Sequence, residues 1–214
     1  MKTSRLALAI LLSCAATGRA AERWAFEYFG GTPWHFVTPL TISQSGQPDI
    51  EVRARYAAKA FETPHYYAWR VGAWSGDRAW EVELIHDKIY LKNRPAGVEE
   101  FSVSHGYNLL TANRAWRRAG LIYRLGAGVV VAHPESTIRG RKLPENRALF
   151  NDGYYLSGPT VQVTAGRRFA VGKRLFVAIE AKATASYARV RVEGGHAHVP
   201  CAALHALAGL GWER

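Results

Sequence analysis

Cysteine is almost absent from this chain, Cys14 and Cys201 being the only two. With the N-terminal segment removed, Cys201 stands alone and no intramolecular disulfide can form, so the fold must be closed by hydrogen bonding and packing. Long apolar runs are missing too. After residue 20 nothing approaches the roughly 20 residues that a membrane-spanning helix needs, which excludes an ordinary helical membrane protein. Acidic side chains are scarce, 17 against 28 Lys and Arg, and the formal charge of +11 points to anionic partners. The sequence holds no glycine-rich phosphate loop, zinc-type cysteine cluster or dinucleotide fingerprint, so no cofactor and no metal is expected. It also holds no linker, low-complexity tract or internal repeat, and the body of the chain reads as one domain.

What is present begins with an export signal. Met1-Lys2-Thr3-Ser4-Arg5 is basic, Leu6 to Leu12 is apolar but too short to span a bilayer, and Gly18-Arg19-Ala20 offers small residues for cleavage before Ala21. The expected division is a signal peptide over 1–20 and a mature domain over 21–214. Leu11-Leu12-Ser13-Cys14 leaves a second possibility, a lipobox in which Cys14 is acylated. Removal of Lys2, Arg5 and Arg19 from the 28 basic residues leaves 25 against 17 acidic. An exported basic protein meets phosphorylated lipid and polyanionic saccharide rather than nucleic acid.

The mature chain alternates between apolar and polar residues. In 78–90, Trp80, Val82, Leu84, His86, Lys88 and Tyr90 share one face, with Glu81, Glu83 and Asp87 on the other. In 173–187, Leu175, Val177, Ile179, Ala181, Ala183, Ala185 and Tyr187 oppose Glu180 and Lys182. Residues 24–29, 36–43, 50–61, 65–74, 100–110, 120–132, 158–169 and 204–212 complete the candidate strands. A soluble sandwich or lipocalin-like barrel would alternate as well. Runs of about ten to thirteen residues with aromatics near their ends instead favour tilted crossing of a bilayer. The fold class expected is all-β, a closed antiparallel transmembrane β-barrel of eight or ten strands in the cell outer membrane, and a monomer. Eight would follow if 24–29 and 36–43 stay out of the wall. The last stretch, ending at Trp212, suits recognition by the barrel assembly machinery. Tight turns at 75–77 and 171–173 belong in the periplasm, and 91–99, 133–157 and 189–201 are the outer loops. Arg139, Arg141, Lys142 and Arg147 then face lipopolysaccharide.

Inward positions collect Glu51, Arg53, Arg55, Lys59, Arg70, Glu81, Glu83, Asp87, Arg124, Arg168, Glu180 and Lys182. Arg70 is expected opposite Glu81 or Glu83. In a narrow barrel these charges close the lumen upon themselves. On the apolar faces, His86, Lys88 and His105 are out of place. A hairpin centred on Lys92 to Gly97 would pair residues whose numbers sum near 191, setting His86 against His105 and raising Lys88 toward lipid headgroups. A metal site on that His pair lacks further ligands. The segments Ser104 to Leu110 and Ala132-His133-Pro134-Glu135-Ser136 stand out as motif-like with no chemistry attached, and His196, His198 and His205 read as loop and lumen residues.

At the level of pattern, over 21–214, the chain resembles the class of small Gram-negative outer-membrane barrels that includes the lipid A deacylases and the lipid A palmitoyltransferase. Deacylases of that class carry His-x-Ser on the barrel exterior. Here the order is Ser102-Val103-Ser104-His105, and alternation turns Ser104 inward beside Asp87, unless a bulge at Gly106 rephases the strand. The leading expectation is a closed-lumen barrel, structural or lipopolysaccharide-interacting. The resemblance adds a lipid A acyl-ester hydrolase or acyltransferase using His86, His105 or Ser104, and a narrow solute channel is a further alternative.

Overall fold

The computed structural model describes residues 23–144 and 153–214. The expected signal peptide with Cys14, and Arg147, lie outside the described residues. Eight strands form a closed antiparallel ring: β1 (Arg23–His35), β5 (Tyr67–Ser75), β6 (Arg78–Leu91), β7 (Val98–Arg118), β8 (Leu121–Ala132), β11 (Tyr155–Ala170), β12 (Leu175–Val192) and β13 (Gly195–Glu213). β13 pairs back onto β1 from Ala25↔Glu213 to His35↔Ala203, so the ring has no free edge.

Eight is the expected lower count, reached by a different division. Segment 24–29 belongs to the wall, whereas 36–43 and 50–61 do not. The latter two fold into β2 (Thr38–Gln44), β3 (Ile50–Ala54) and β4 (Tyr56–Ala57), which extend the sheet beyond one end of the barrel, on β13 and β6. β9 (Glu135–Ile138) and β10 (Arg141–Lys142) do the same on β7. Glu51, Arg53, Arg55 and Lys59 are therefore exposed on this collar rather than inside the lumen. The expected loop 189–201 is likewise strand, continuous except for Glu193-Gly194 at the tip.

The two ends differ in their connections. One end has short turns, among them Ala119-Gly120, where φ is 51° and 77°. Such a two-residue hairpin needs positive φ at both positions and matches the twist of the strands it joins. The other end carries the long connections and the collar. Between them the outward residues are apolar. β12 presents Leu175, Val177, Ile179, Ala181, Ala183, Ala185 and Tyr187 outward, and β13 presents Ala202, Leu204, Ala206, Ala208, Leu210 and Trp212. Leu210 is 68% exposed and Ile179 56%. Water would penalise such a band and lipid would not, so the barrel is a membrane-spanning one.

The interior is filled in three layers. Nearest the short turns, Trp74 is wholly buried among Ala25, Ala79, Ala115 and Ile122, with the guanidinium of Arg117 4.3 Å and that of Arg168 4.9 Å from its ring centroid. The middle layer is ionic. The layer nearest the collar is apolar, built from Leu40, Ile42, Ile89, Phe101, Ile138 and Val190 among others, contributed by both wall and collar. The strand alternation that sorts wall residues in or out thus also lets the collar strands supply an apolar stopper.

Candidate functional site

The ionic layer brings together all six residues singled out for a lumen network. Arg70 donates through Nε to Glu27 (2.8 Å), through Nη1 to Glu83 (3.1 Å) and through Nη2 to Glu180 (2.8 Å). Arg124 donates to Glu81 at 2.6 Å and to Glu180 at 2.9 Å. Lys182 bonds Glu83 and lies 3.2 Å from Glu180. Gln162 and Asn113 add amide donors to Glu83 at 3.0 and 3.2 Å. Arg168 closes the set on Glu27 at 3.1 Å. Four carboxylates thus meet four cations, so the layer carries no net charge, and each of the eight carboxylate oxygens has at least one donor. Arg70 does stand opposite Glu83 in the register. Glu27 went unnoticed in the sequence because its segment is crowded with aromatics.

Toward the collar a second polar group is held inside. His35 Nε2 lies 2.8 Å from Asp87 Oδ2, and His205 bonds the Tyr66 hydroxyl and Thr184, each at 2.9 Å. These partners fix the imidazoles in place, and all lie beneath the apolar stopper.

The outer face of the hairpin β6–β7 departs from expectation. Its register steps from Asp87↔Tyr107 to Ile89↔Val103, so that Ser104, His105 and Gly106 together face Lys88. This is the bulge at Gly106, whose φ of 136° only glycine adopts readily and whose Cα hydrogens sit against the Asn108 side chain. The consequence is a correction. His86 pairs with Asn108, not His105; its Nδ1 lies 2.8 Å from Asn108 Oδ1 and its ring stacks on Tyr67 at 4.9 Å. Lys88 does not rise toward headgroups. It is buried under the connection from β4 to β5, donating to the carbonyl of Glu62 at 2.7 Å. Ser104 does not lie beside Asp87, whose partner is Tyr107.

The bulge instead turns His105 outward at the rim, with its side chain 54% exposed, and there it meets the segment that follows β8. β9 pairs with the extension of β7, setting Glu135 opposite Ser102. The amide of His133 donates to the carbonyl of Gly106 at 3.0 Å, and Tyr154 Oη donates to the carbonyl of His105 at 3.1 Å. Glu135 Oε1 then lies 3.0 Å from His105 Nδ1, while Oε2 accepts from Ser104 and, at 3.4 Å, from Ser102. The His105 and His133 rings are 4.9 Å apart, with Tyr154 edge-on to His133 at 5.0 Å. The two motif-like segments of the sequence are thus one cluster. Ser104 approaches the same ring nitrogen that faces Glu135, Nδ1, at 3.3 Å. A nucleophile relay would engage opposite ring nitrogens, so the chemistry suggested by this arrangement is ligation rather than proton relay.

Of the residues expected to meet headgroups, Arg139 is turned onto the collar, donating to Gln44 Oε1 at 2.9 Å and to the Pro48 carbonyl at 2.7 Å; Arg141 and Lys142 are exposed. A basic pair that the sequence reading assigned to a loop lies instead on the wall. Above Tyr187, the outward column of β12 continues into Arg189 and Arg191, which pair with His198 and His196 of β13. Arg191 stacks on Tyr155 at 4.9 Å.

No protein-family model and no curated protein matches the chain. Solved structures similar to it include Neisserial surface protein A (11% identity, 89% of this chain and 96% of that one, TM-score 0.42). Others are the outer-membrane protein AlkL (10%, 93% of each chain, TM-score 0.45) and OprG from Pseudomonas aeruginosa (9%, 92% of this chain and 98% of that one, TM-score 0.43). These likenesses are loose, and it is the closed pairing of this chain's own strands, with its outward apolar band, that makes it a membrane-spanning β-barrel.

Proposed function

We propose that this protein is an outer-membrane barrel whose lumen is not a conduit and whose long-connection rim binds the phosphorylated headgroups of the outer leaflet. The observation that carries the reading is the outward column of β12 and β13. Apolar residues run without interruption to Tyr187 and Pro200, and the next outward positions are Arg189, Arg191, His198 and His196. A ring of acyl chains against the apolar part would place lipid phosphates level with the two guanidinium groups, which recognise phosphate in a bidentate fork. Exposed Leu156 and half-buried Tyr155 flank them on β11, so one surface offers apolar and cationic contacts to the same lipid. Glu193 at the hairpin tip is the nearest acid in this sequence stretch.

The filled interior supports the other half of the reading. A neutral ionic layer capped on both sides by buried apolar side chains offers no continuous path for water or a solute. In planar bilayers the reconstituted protein is expected to give no discrete conductance steps. A reproducible unitary current at neutral pH would overturn the closed lumen.

The lipid contact is checked separately. Purified from a native outer membrane in mild detergent, the barrel is expected to carry lipid A, identified by mass spectrometry. Each arginine near an anionic surface contributes about 1 kcal/mol, so the double replacement Arg189→Ala with Arg191→Ala is expected to weaken binding to lipid A micelles roughly 30-fold. Equal binding by the two proteins would remove the proposed contact.

A further inference from the structure

We infer that the rim cluster of His105, His133 and Glu135 is a binding site for a first-row divalent cation of the zinc class. Two imidazoles and one carboxylate are the donor set that zinc accepts readily, and here each side chain offers an atom such that all three atoms lie within 4.8 Å of one another. Zinc–nitrogen and zinc–oxygen bonds of about 2.0–2.2 Å at a tetrahedral angle put neighbouring ligand atoms about 3.3 Å apart. The His105 Nδ1 to Glu135 Oε1 separation of 3.0 Å is already close to that. Rotation of the exposed His105 ring and the half-buried His133 ring covers what remains.

The surroundings have the form of a prepared site. Ser104 and Ser102 hold the far carboxylate oxygen of Glu135, which leaves Oε1 directed at the histidines. Hydrogen bonds from outer partners to a ligating carboxylate orient it and tune its basicity. The backbone is fixed as well. The bulge at Gly106 turns His105 to the surface, and the amide of His133 is tied to the carbonyl of Gly106, so the two ligand-bearing segments are joined at the point where the ligands converge. Three protein ligands leave a fourth position toward solvent, where His105 is exposed, so water or an anionic group of a lipid headgroup could complete the coordination. Binding replaces the hydrogen bond between His105 and Glu135 by two bonds to the cation, the neutral ring keeping its one proton on the nitrogen that does not ligate. The inference is independent of the lipid contact at Arg189 and Arg191.

The test uses the untagged barrel, folded in detergent micelles and stripped with a chelator. Titration with zinc chloride by calorimetry is expected to show one site per barrel, and substitution with Co²⁺ is expected to give the intense visible absorption of a four- or five-coordinate centre with nitrogen and oxygen ligands. His105→Gln and Glu135→Gln, both at the rim, are expected to lower affinity at least 100-fold while leaving heat-modifiable migration unchanged. Ser104→Ala is expected to lower it 10- to 100-fold, the range found when an outer partner of a ligand is removed. His198→Ala serves as a control, since His196 and His198 form the other outward histidine pair at this end. Absence of stoichiometric zinc binding and of the Co²⁺ spectrum in the unaltered protein would overturn the site. So would binding that persists in His105→Gln and disappears in His198→Ala.

Discussion

Replacing Arg70 by Met is expected to destabilise the barrel by about 3–5 kcal/mol, the range for removing one partner from a buried charge network. The side chain is 1% exposed and its guanidinium touches Glu27, Glu83 and Glu180, with Glu81 at 3.6 Å. Met fills most of the volume, so the loss comes from leaving four buried acidic residues to share three cations. The folded layer would then gain stability by taking up a proton. The measurement is urea unfolding of the barrel in lipid vesicles, followed by the change in gel migration. Adding Glu180→Gln to Arg70→Met restores the charge balance and is expected to recover part of the loss. A midpoint that does not move in the single variant would mean that the lumen is wet, and with it the closed-lumen reading would fall.

The second large effect is expected in the layer nearest the short turns, at the other end of the barrel from the stopper. Trp74→Ala should cost about 3–5 kcal/mol, the usual range when a large aromatic is cut from a packed core. Trp74 has no exposed surface and is the one aromatic side chain in its small cluster, packed against Ile122 and three alanines. Its loss would also leave Arg117 without the ring face it stacks on, and Arg168 with that of Phe176 alone. Arg168 bridges this layer to Glu27 and Glu213, so the cavity and the ionic layer are coupled and the two variants should not be additive. The same urea titration measures this. A shift under 1 kcal/mol in Trp74→Ala would show that the ring is not packed as described.

Charge is not spread evenly over the barrel. Arg78, Arg117, Arg118, Lys173, Arg174 and Arg214 gather around the short turns, where Asp77 and Glu213 are the neighbouring acids. The basic balance that suggested contact with outer saccharide therefore belongs in large part to the other end. The proposed headgroup contact at the long-connection rim depends on Arg189 and Arg191, and on their position just above Tyr187, more than on net charge.

Much of the wall can be read in the residues themselves. A β-strand has a period of two, so Leu175 to Tyr187 and Leu204 to Trp212 declare both their conformation and the face they show to lipid, and Glu81, Glu83, Glu180 and Lys182 declare the opposite face. That Arg70 faces Glu81 or Glu83 also followed, because the short turn sets the register of its hairpin locally, and the observed partner is Glu83. Alternation does not say whether a strand faces lipid or an apolar collar, since either accepts the same pattern. Segments 36–43 and 50–61 accordingly looked like wall and are not. Nor can it foresee cover. His86 and Lys88 do lie on the outward face, but Tyr67 and the Glu62 backbone, from elsewhere in the chain, shield them. Register across β6 and β7 depends on where the bulge falls, and its extra residues at Ser104 to Gly106 displaced the expected pairing of His86 with His105. The union of His105 with His133 and Glu135 is a contact between segments some thirty residues apart, made by β9 folding back on β7. Conformation and facing were determined by the sequence because they depend on the repeat of the backbone itself. The collar, the bulge and the rim cluster were decided only in three dimensions, because they depend on which distant strands meet and in what register.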